Sequence, residues 1–235
     1  MQSLKQGAAA MGLALTETAL AQFEQYWAYL VERNQVMNLT AITDRDEVAV
    51  KHFLDSLALA TVVDLSDKRL MDIGTGAGFP GLPLKIAIPG LEVTLLDGHN
   101  KRVTFLAELC DQLGLEGIQC IHDRAEAWVM APGEREGYDY ATSRAVARLN
   151  VLAELCLPYV KIGGAFLPMK AVDSDEEINE AEAAIEILGG EIEGCRDYTL
   201  PGTDIRRRIV EIRKIAPTPE RYPRRFARIQ GDPLG

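Results

Sequence analysis

The chain has no C-x-x-C pair, and none of its four cysteines (Cys110, Cys120, Cys156 and Cys195) has a histidine at metal-ligand spacing. That absence excludes a zinc ribbon and a C-x-x-C redox centre. The cysteines read as reduced, mostly buried thiols of a cytoplasmic protein without a metal. No apolar run reaches the roughly 18 residues of a membrane span, so no membrane partner is expected. The apolar segment 7–15 follows Lys5 as a secretory leader would. It leads straight into an amphipathic helix with no cleavage-type break, so a signal peptide is set aside. None of the three histidines stands in a serine or aspartate context suited to hydrolysis. Repeats and low-complexity tracts are also missing.

What is present is the composition of a globular protein: 235 residues, 47% hydrophobic and 26% charged. The formal net charge of −10 argues against a nucleic-acid partner until its distribution is considered. From Arg196 onward there are ten Lys and Arg against five acids, so this end carries +5 and residues 1–195 carry −15. Composition alone favours a solvated edge for these cations; a local phosphate-docking face on an acidic body is the alternative.

Along the chain, Thr16 can cap a helix whose Leu20, Phe23, Trp27, Leu30 and Val31 share one face. Asp44, with Glu47 three residues later, opens a second helix after the polar break 34–43. Short apolar runs at 70–73, 93–96, 118–121, 138–142 and 165–169 then alternate with helical segments such as 101–113 and 146–160. This is repeated βαβ, hence a mostly parallel sheet with helices on both faces. Two final strand-like runs, 191–200 and 206–215, are joined by Pro201-Gly202 and add an antiparallel hairpin after an acidic helix over 175–188. The expected architecture is an α/β, doubly wound, seven-stranded sheet with an N-terminal helical extension over 1–65. The main domain covers 66–216, and 217–235 form a basic, loosely ordered tail.

Within this frame Asp72-Ile73-Gly74-Thr75-Gly76-Ala77-Gly78-Phe79-Pro80-Gly81 stands out. An apolar run ends in an acid and opens into three glycines spaced two apart, a strand feeding a tight turn that a ligand can approach. A dinucleotide site places a pyrophosphate at such a turn. A carboxylate at Asp72 repels that anion and attracts the ammonium of a methionine moiety. D-x-G-x-G-x-G therefore reads as S-adenosylmethionine (SAM) before NAD. Asp97 ends the second strand about twenty residues on, where a carboxylate accepts hydrogen bonds from ribose hydroxyls. The third strand ends at Asp123-Arg124-Ala125-Glu126, placed for adenine, and the fourth at Thr142-Ser143-Arg144-Ala145, beside a transferring methyl. Arg144 there can clamp a carboxylate or a phosphate; its plain alternative is a salt bridge to a local acid.

Missing motifs narrow the chemistry. The slot after strand four holds no D/N-P-P-aromatic loop, which amine methylation in DNA uses. Cys156 lies on an apolar helix and reads as core rather than as the nucleophile for pyrimidine C5. Acceptors with a free lone pair remain, guanine N7 among them, for which the protein supplies mainly alignment.

Several strings resemble the GidB/RsmG family of bacterial 16S rRNA guanine-N7 methyltransferases. They are Arg33-Asn34, Met37-Asn38-Leu39-Thr40-Ala41-Ile42, His52-Phe53-Leu54-Asp55-Ser56-Leu57, the glycine motif itself, Asn100-Lys101-Arg102-Val103-Thr104-Phe105-Leu106, Arg124-Ala125-Glu126 and Ser143-Arg144-Ala145-Val146-Ala147-Arg148-Leu149. The resemblance implies a class I SAM-dependent methyltransferase of Rossmann-like fold that acts on 16S rRNA, the small subunit or an assembly particle; a monomer is expected, though the sequence leaves oligomeric state open. The guanine it implies is the one usually numbered 527. It places Gly74, Phe79, Ala125, Glu126 and Arg144 at the cofactor and gives Asp97 the ribose; Asp72 and Gly76 join these cofactor candidates from the glycine motif, Arg144 is the nearest candidate for a catalytic role, and no general base is required. Asn38, Lys101, Arg102, Arg206, Arg207, Arg208, Arg224 and Arg225 are the candidate RNA contacts. His52 reads as a partly buried anchor of its helix before an RNA contact. The tail departs from the family after Tyr222-Pro223-Arg224-Arg225, where Gln230-Gly231-Asp232 replaces a basic run. A SAM- and RNA-binding assembly factor without turnover is the rival reading, and a dehydrogenase the third.

Overall fold

The computed structural model describes residues 1–144 and 147–235. Ala145 and Val146, which belong to the string after the fourth strand and to the start of the expected helix 146–160, lie outside the described residues.

Helix α1 (Gln2–Ala10) and the long α2 (Glu17–Met37) come first. The Thr16 side chain accepts from the Ala19 N–H at 3.1 Å, the cap that the sequence indicates. Asp44 likewise accepts from the N–H groups of Asp46 and Glu47 to start α3 (Arg45–Val48). This helix widens into a π-helical segment over Ala49–Leu54 and tightens again in α4 (Asp55–Leu57).

The alternating part follows as β1 (Arg69–Ile73), α5 (Gly81–Ala87), β2 (Glu92–Asp97), α6 (Asn100–Gln112), β3 (Ile118–His122) and α7 (Ala125–Trp128). It continues through β4 (Tyr138–Arg144), α8 (Leu149–Cys156), β5 (Val160–Lys170), α9 (Asp175–Ile187), β6 (Gly190–Thr199), β7 (Arg206–Lys214) and α10 (Phe226–Gly231). The sheet order is β3-β2-β1-β4-β5-β7-β6. The first five strands run parallel, and β7 is antiparallel to both β5 and β6. The expected seven strands and closing hairpin are all present.

Successive strand residues face opposite sides of the sheet. Leu70 and Leu95 therefore join a core beneath α1–α6, while Met71 and Leu96 join a second core beneath α7–α10. Phe23, Tyr26, Leu30 and Phe53 of the N-terminal helices are fully buried in the first of these cores. The N-terminal extension thus shares the sheet's own core, and Tyr26 Oη donates to the carbonyl of Ala77 in the glycine turn at 2.5 Å.

The expectation of a loosely ordered tail is corrected. Arg135 donates to the carbonyls of Thr218 (2.8 Å) and Tyr222 (2.9 Å), and Arg224 forks onto the fully buried Glu154. Ile229 of α10 is itself fully buried in the second core. Charge pairing and the apolar anchors Tyr222 and Ile229 order a segment whose composition reads as mobile.

Candidate active site

Open α/β sheets gather ligands beyond the carboxyl ends of their strands. A crevice of about 440 Å³ lies there, walled by the ends of β1–β4, by the loop after α2 and by the tail. Gly74, Gly76, Phe79, Asp97, Ala125, Glu126 and Arg144 all line it, so the strand order brings together seven of the eight cofactor candidates. In the turn itself Gly76 has φ +62 and Gly78 φ +104. A Cβ on Gly78 would stand 2.7 Å from Tyr26 Oη, so glycine is required there both by conformation and by the helix packed behind.

Asp72 is the eighth candidate, and its expected direct contact is corrected. It is fully buried, away from the crevice wall, and its Oδ2 accepts from Thr75 Oγ1 at 2.7 Å and the Gly81 N–H at 2.8 Å. The carboxylate pins both ends of the turn from beneath. Among the described residues its Oδ1 has no hydrogen-bond partner, and burial pushes its pKa up to about 6. Two acceptor bonds were enough to draw this group inward, where the sequence reading placed it facing outward.

Asp97 is on the crevice wall as expected. Its Oδ2 accepts from the Gly76 N–H at 3.0 Å and faces Arg102 Nη1 at 3.4 Å; its Oδ1 accepts from the His99 N–H at 2.8 Å. Glycine turn and second strand are thereby locked together through one carboxylate.

The opposite end of the crevice is roofed by residues from four elements. Arg144 donates to Asp55 Oδ2 at 2.9 Å, and its guanidinium lies 4.9 Å from the Phe79 ring centre. It also faces His52 Nδ1 at 3.3 Å. A guanidinium only donates, so Nδ1 accepts and His52 Nε2–H donates to Thr40 Oγ1 at 2.9 Å. Burial, with Arg144 next, lowers the His52 pKa to about 4, in keeping with a neutral ring. Thr40 is fixed in turn by two hydrogen bonds with Asn34, and Asp55 also accepts from Tyr198 Oη at 2.8 Å. The π-helical segment 49–54 carries His52 and leads into Asp55, so it sets the spacing of both groups. His52 both anchors its helix and lines the crevice. Asp55 and Tyr198 were missed; the i, i+3 spacing in His52-Phe53-Leu54-Asp55 was the available signal for the first, and nothing local marked the second. Asp123 and Arg124, read at the end of the third strand, line the crevice too, and His99, Leu155 and Phe226 line it unforeseen.

The RNA candidates divide. Asn38 is exposed in left-handed conformation (φ 51) at the end of α2, Lys101 is exposed on α6, and Arg225 is exposed before α10. Arg102 reaches into the crevice. Arg206 is exposed with Asp197 at 3.6 Å, and Arg207 stands 3.9 Å from Asp55. Two expectations are corrected: Arg208 is held by Asp197 and Asp175, and Arg224 by Glu154, their side chains 11% and 14% exposed. Both cations are neutralised by carboxylates of the protein itself, Arg224 by a buried one and Arg208 at the surface.

An open sheet of this order, with a glycine turn after β1 and a carboxylate ending β2, defines the class: a class I SAM-dependent methyltransferase fold. Among solved structures, TrmN from Thermus thermophilus matches with TM-score 0.55 and 18% identity, over 69% of this chain and 49% of that one. TYW2 of M. jannaschii, solved in complex with AdoMet, matches with TM-score 0.53 and 12% identity, over 68% and 75%. The model of the GidB family, rRNA small subunit methyltransferase G, matches residues 19–199, and the chain belongs to that family. Relatives named ribosomal RNA small subunit methyltransferase G are similar over most of their length. That of Pelotomaculum thermopropionicum is 50% identical over 99% of this chain and 98% of its own. That of Bacillus subtilis is 47% identical over 96% and 95%.

Proposed function

We propose that this chain transfers a methyl group from SAM to N7 of a guanine in 16S rRNA, the guanine usually numbered 527. The observation that carries the reading is the crevice itself: a glycine turn and the Asp97 carboxylate at one end, and the Arg144–Asp55–His52 roof at the other. The residues present fit the donor. The turn from Gly74 to Ala77 leaves room for its methionine part, above the buried Asp72, whose Oδ1 has no partner among the described residues. Asp97 can exchange its contacts with Gly76 and His99 for ribose hydroxyls, and the β3 end offers the wall for a purine. When bound, SAM supplies an electrophilic methyl on a sulfonium centre.

The chain's own part is alignment. Guanine N7 presents an in-plane lone pair, so no proton has to be removed before attack. The roof agrees with this: His52 is neutral and already donates to Thr40, and Arg144 is fixed by Asp55 where it can meet a phosphate or a base edge. The exposed Lys101, Arg206 and Arg225, with the half-buried Arg207, supply the further phosphate contacts. Among the described residues no helix is long and apolar enough to cross a membrane. An rRNA substrate supports the reading of a cytoplasmic protein, and a monomer belongs to the same proposal. The test is incubation with methyl-labelled SAM and 16S rRNA from cells lacking the modification. Label in N7-methylguanine is expected; SAM binding without transfer would instead support a non-catalytic assembly factor.

A further inference from the structure

The tail after β7 carries one aromatic side chain into the crevice. Phe226 begins α10, is half-buried, and lines the crevice beside Ala125 and Leu155. It is held from both sides. Two residues before it Arg224 donates its backbone N–H and Nη2 to Glu154, each at 2.7 Å, and three residues after it Ile229 is fully buried. A ring fixed in this way is a built wall, since neighbouring anchors keep it from swinging into solvent.

The guanidinium of Arg124 lies 4.2 Å from the centre of the Phe226 ring. Its Nη1 is also 3.4 Å from the place a Cβ on Gly98 would occupy. Arg124 therefore spans the distance between the end of β2 and the tail, with glycine on one side and an aromatic face on the other. Asp97, one residue before Gly98, is the group suited to sugar hydroxyls. A base attached to that sugar meets the next chemistry along the wall: an aromatic face, a flat cation and the apolar side chains of Ala125 and Leu155.

We propose that Phe226 is a positioning residue of the donor site, the aromatic wall against which the adenine of SAM packs. The proposal rests on the reading of the crevice as a SAM site. Every purine has a π-face, and stacking on an aromatic or guanidinium plane is favourable without hydrogen-bond readout. It gives the tail a part in donor binding.

The test is calorimetric titration of the full chain and its variants with S-adenosylhomocysteine. Phe226→Ala is expected to weaken binding about tenfold or more, in line with the loss of one stacking partner. Phe226→Leu keeps the apolar packing of α10 and should lose several-fold in affinity with little change in melting temperature. Phe226→Trp should retain affinity, and its added emission should change on titration beyond that of Trp27 and Trp128 in the parent. In turnover, KM for SAM rises in the Leu variant while kcat at saturation is kept. Affinities of the Ala and Leu variants within twofold of the parent would overturn the proposal. A parent that does not bind S-adenosylhomocysteine would overturn the donor reading itself, and this inference with it.

Discussion

The two ends of the crevice are built by opposite means. The floor comes from a contiguous stretch, residues 72–81, with Asp97 added; its order lies in backbone conformation and in N–H groups gathered by two carboxylates. The roof is made of side chains: Thr40, His52, Asp55, Arg144, Tyr198 and Arg207 come from the loop after α2, the helix behind it, β4, β6 and β7. The floor is a local device that a sheet of this class carries by itself. The roof ties the N-terminal helices and the closing hairpin to the middle of the sheet, so its integrity depends on the whole chain being folded.

That difference predicts its own breaking points. Asp55→Ala has the largest expected effect: it leaves Arg144 with a buried, uncompensated charge and Tyr198 without its acceptor, at a cost of about 3–5 kcal/mol in denaturant unfolding. The folded fraction should still bind S-adenosylhomocysteine, because the floor is untouched. Equal loss of donor affinity would show the two ends to be one unit.

Titration sharpens the contrast next. Asp72 moves from the ordinary 3.8 to about 6 in the folded chain, so the fold binds more protons than the unfolded chain, and stability is lost as pH rises through that interval. The change corresponds to roughly 3 kcal/mol. His52 moves the other way, from 6.5 to about 4, so its contribution is present above 6.5 and lost as pH falls toward 4. Floor and roof thus oppose each other over the same pH range. Relative to the parent, Asp72→Asn should make unfolding free energy rise more with pH between 4 and 6.5, and His52→Gln should make it rise less. Urea unfolding at several pH values measures both slopes; unchanged slopes would contradict the assignments.

The smallest effect separates exposed cations from structural ones. Charge reversal of Arg206 and Arg207 together should weaken rRNA binding and reduce the salt slope by about 1.4, with donor affinity kept. Arg224→Ala should lower stability, because it leaves the buried Glu154 uncompensated, and should leave the salt slope nearly unchanged. A binding isotherm series in increasing salt distinguishes the two.

How far the chain could be read follows from the same division. Strand positions, the two helix caps and the glycine turn were legible because hydrophobic period, Thr16, Asp44 and the glycine spacing act within a few residues. Asp97 was legible because strand order alone delivers it to the crevice. Asp72 was right in position and wrong in direction, since the pull of the Thr75 hydroxyl and the Gly81 N–H appears only once the turn is closed. Asp55, Tyr198 and Phe226 were hidden for a related reason: each meets its partners across dozens of residues or more, and no local pattern marks such a meeting. Arg224 looked free in a basic stretch because its partner Glu154 belongs to a helix far along the chain, and Arg208 because Asp175 is as distant and Asp197 meets it only through the register of the closing hairpin.

The measurement that bears most directly on this account is nucleoside mass spectrometry, with site mapping, of 16S rRNA treated with the protein and SAM. A single N7-methylguanosine at the guanine usually numbered 527 is the expected result. Methylation at another atom or nucleotide, or none from a protein that binds SAM, would contradict it.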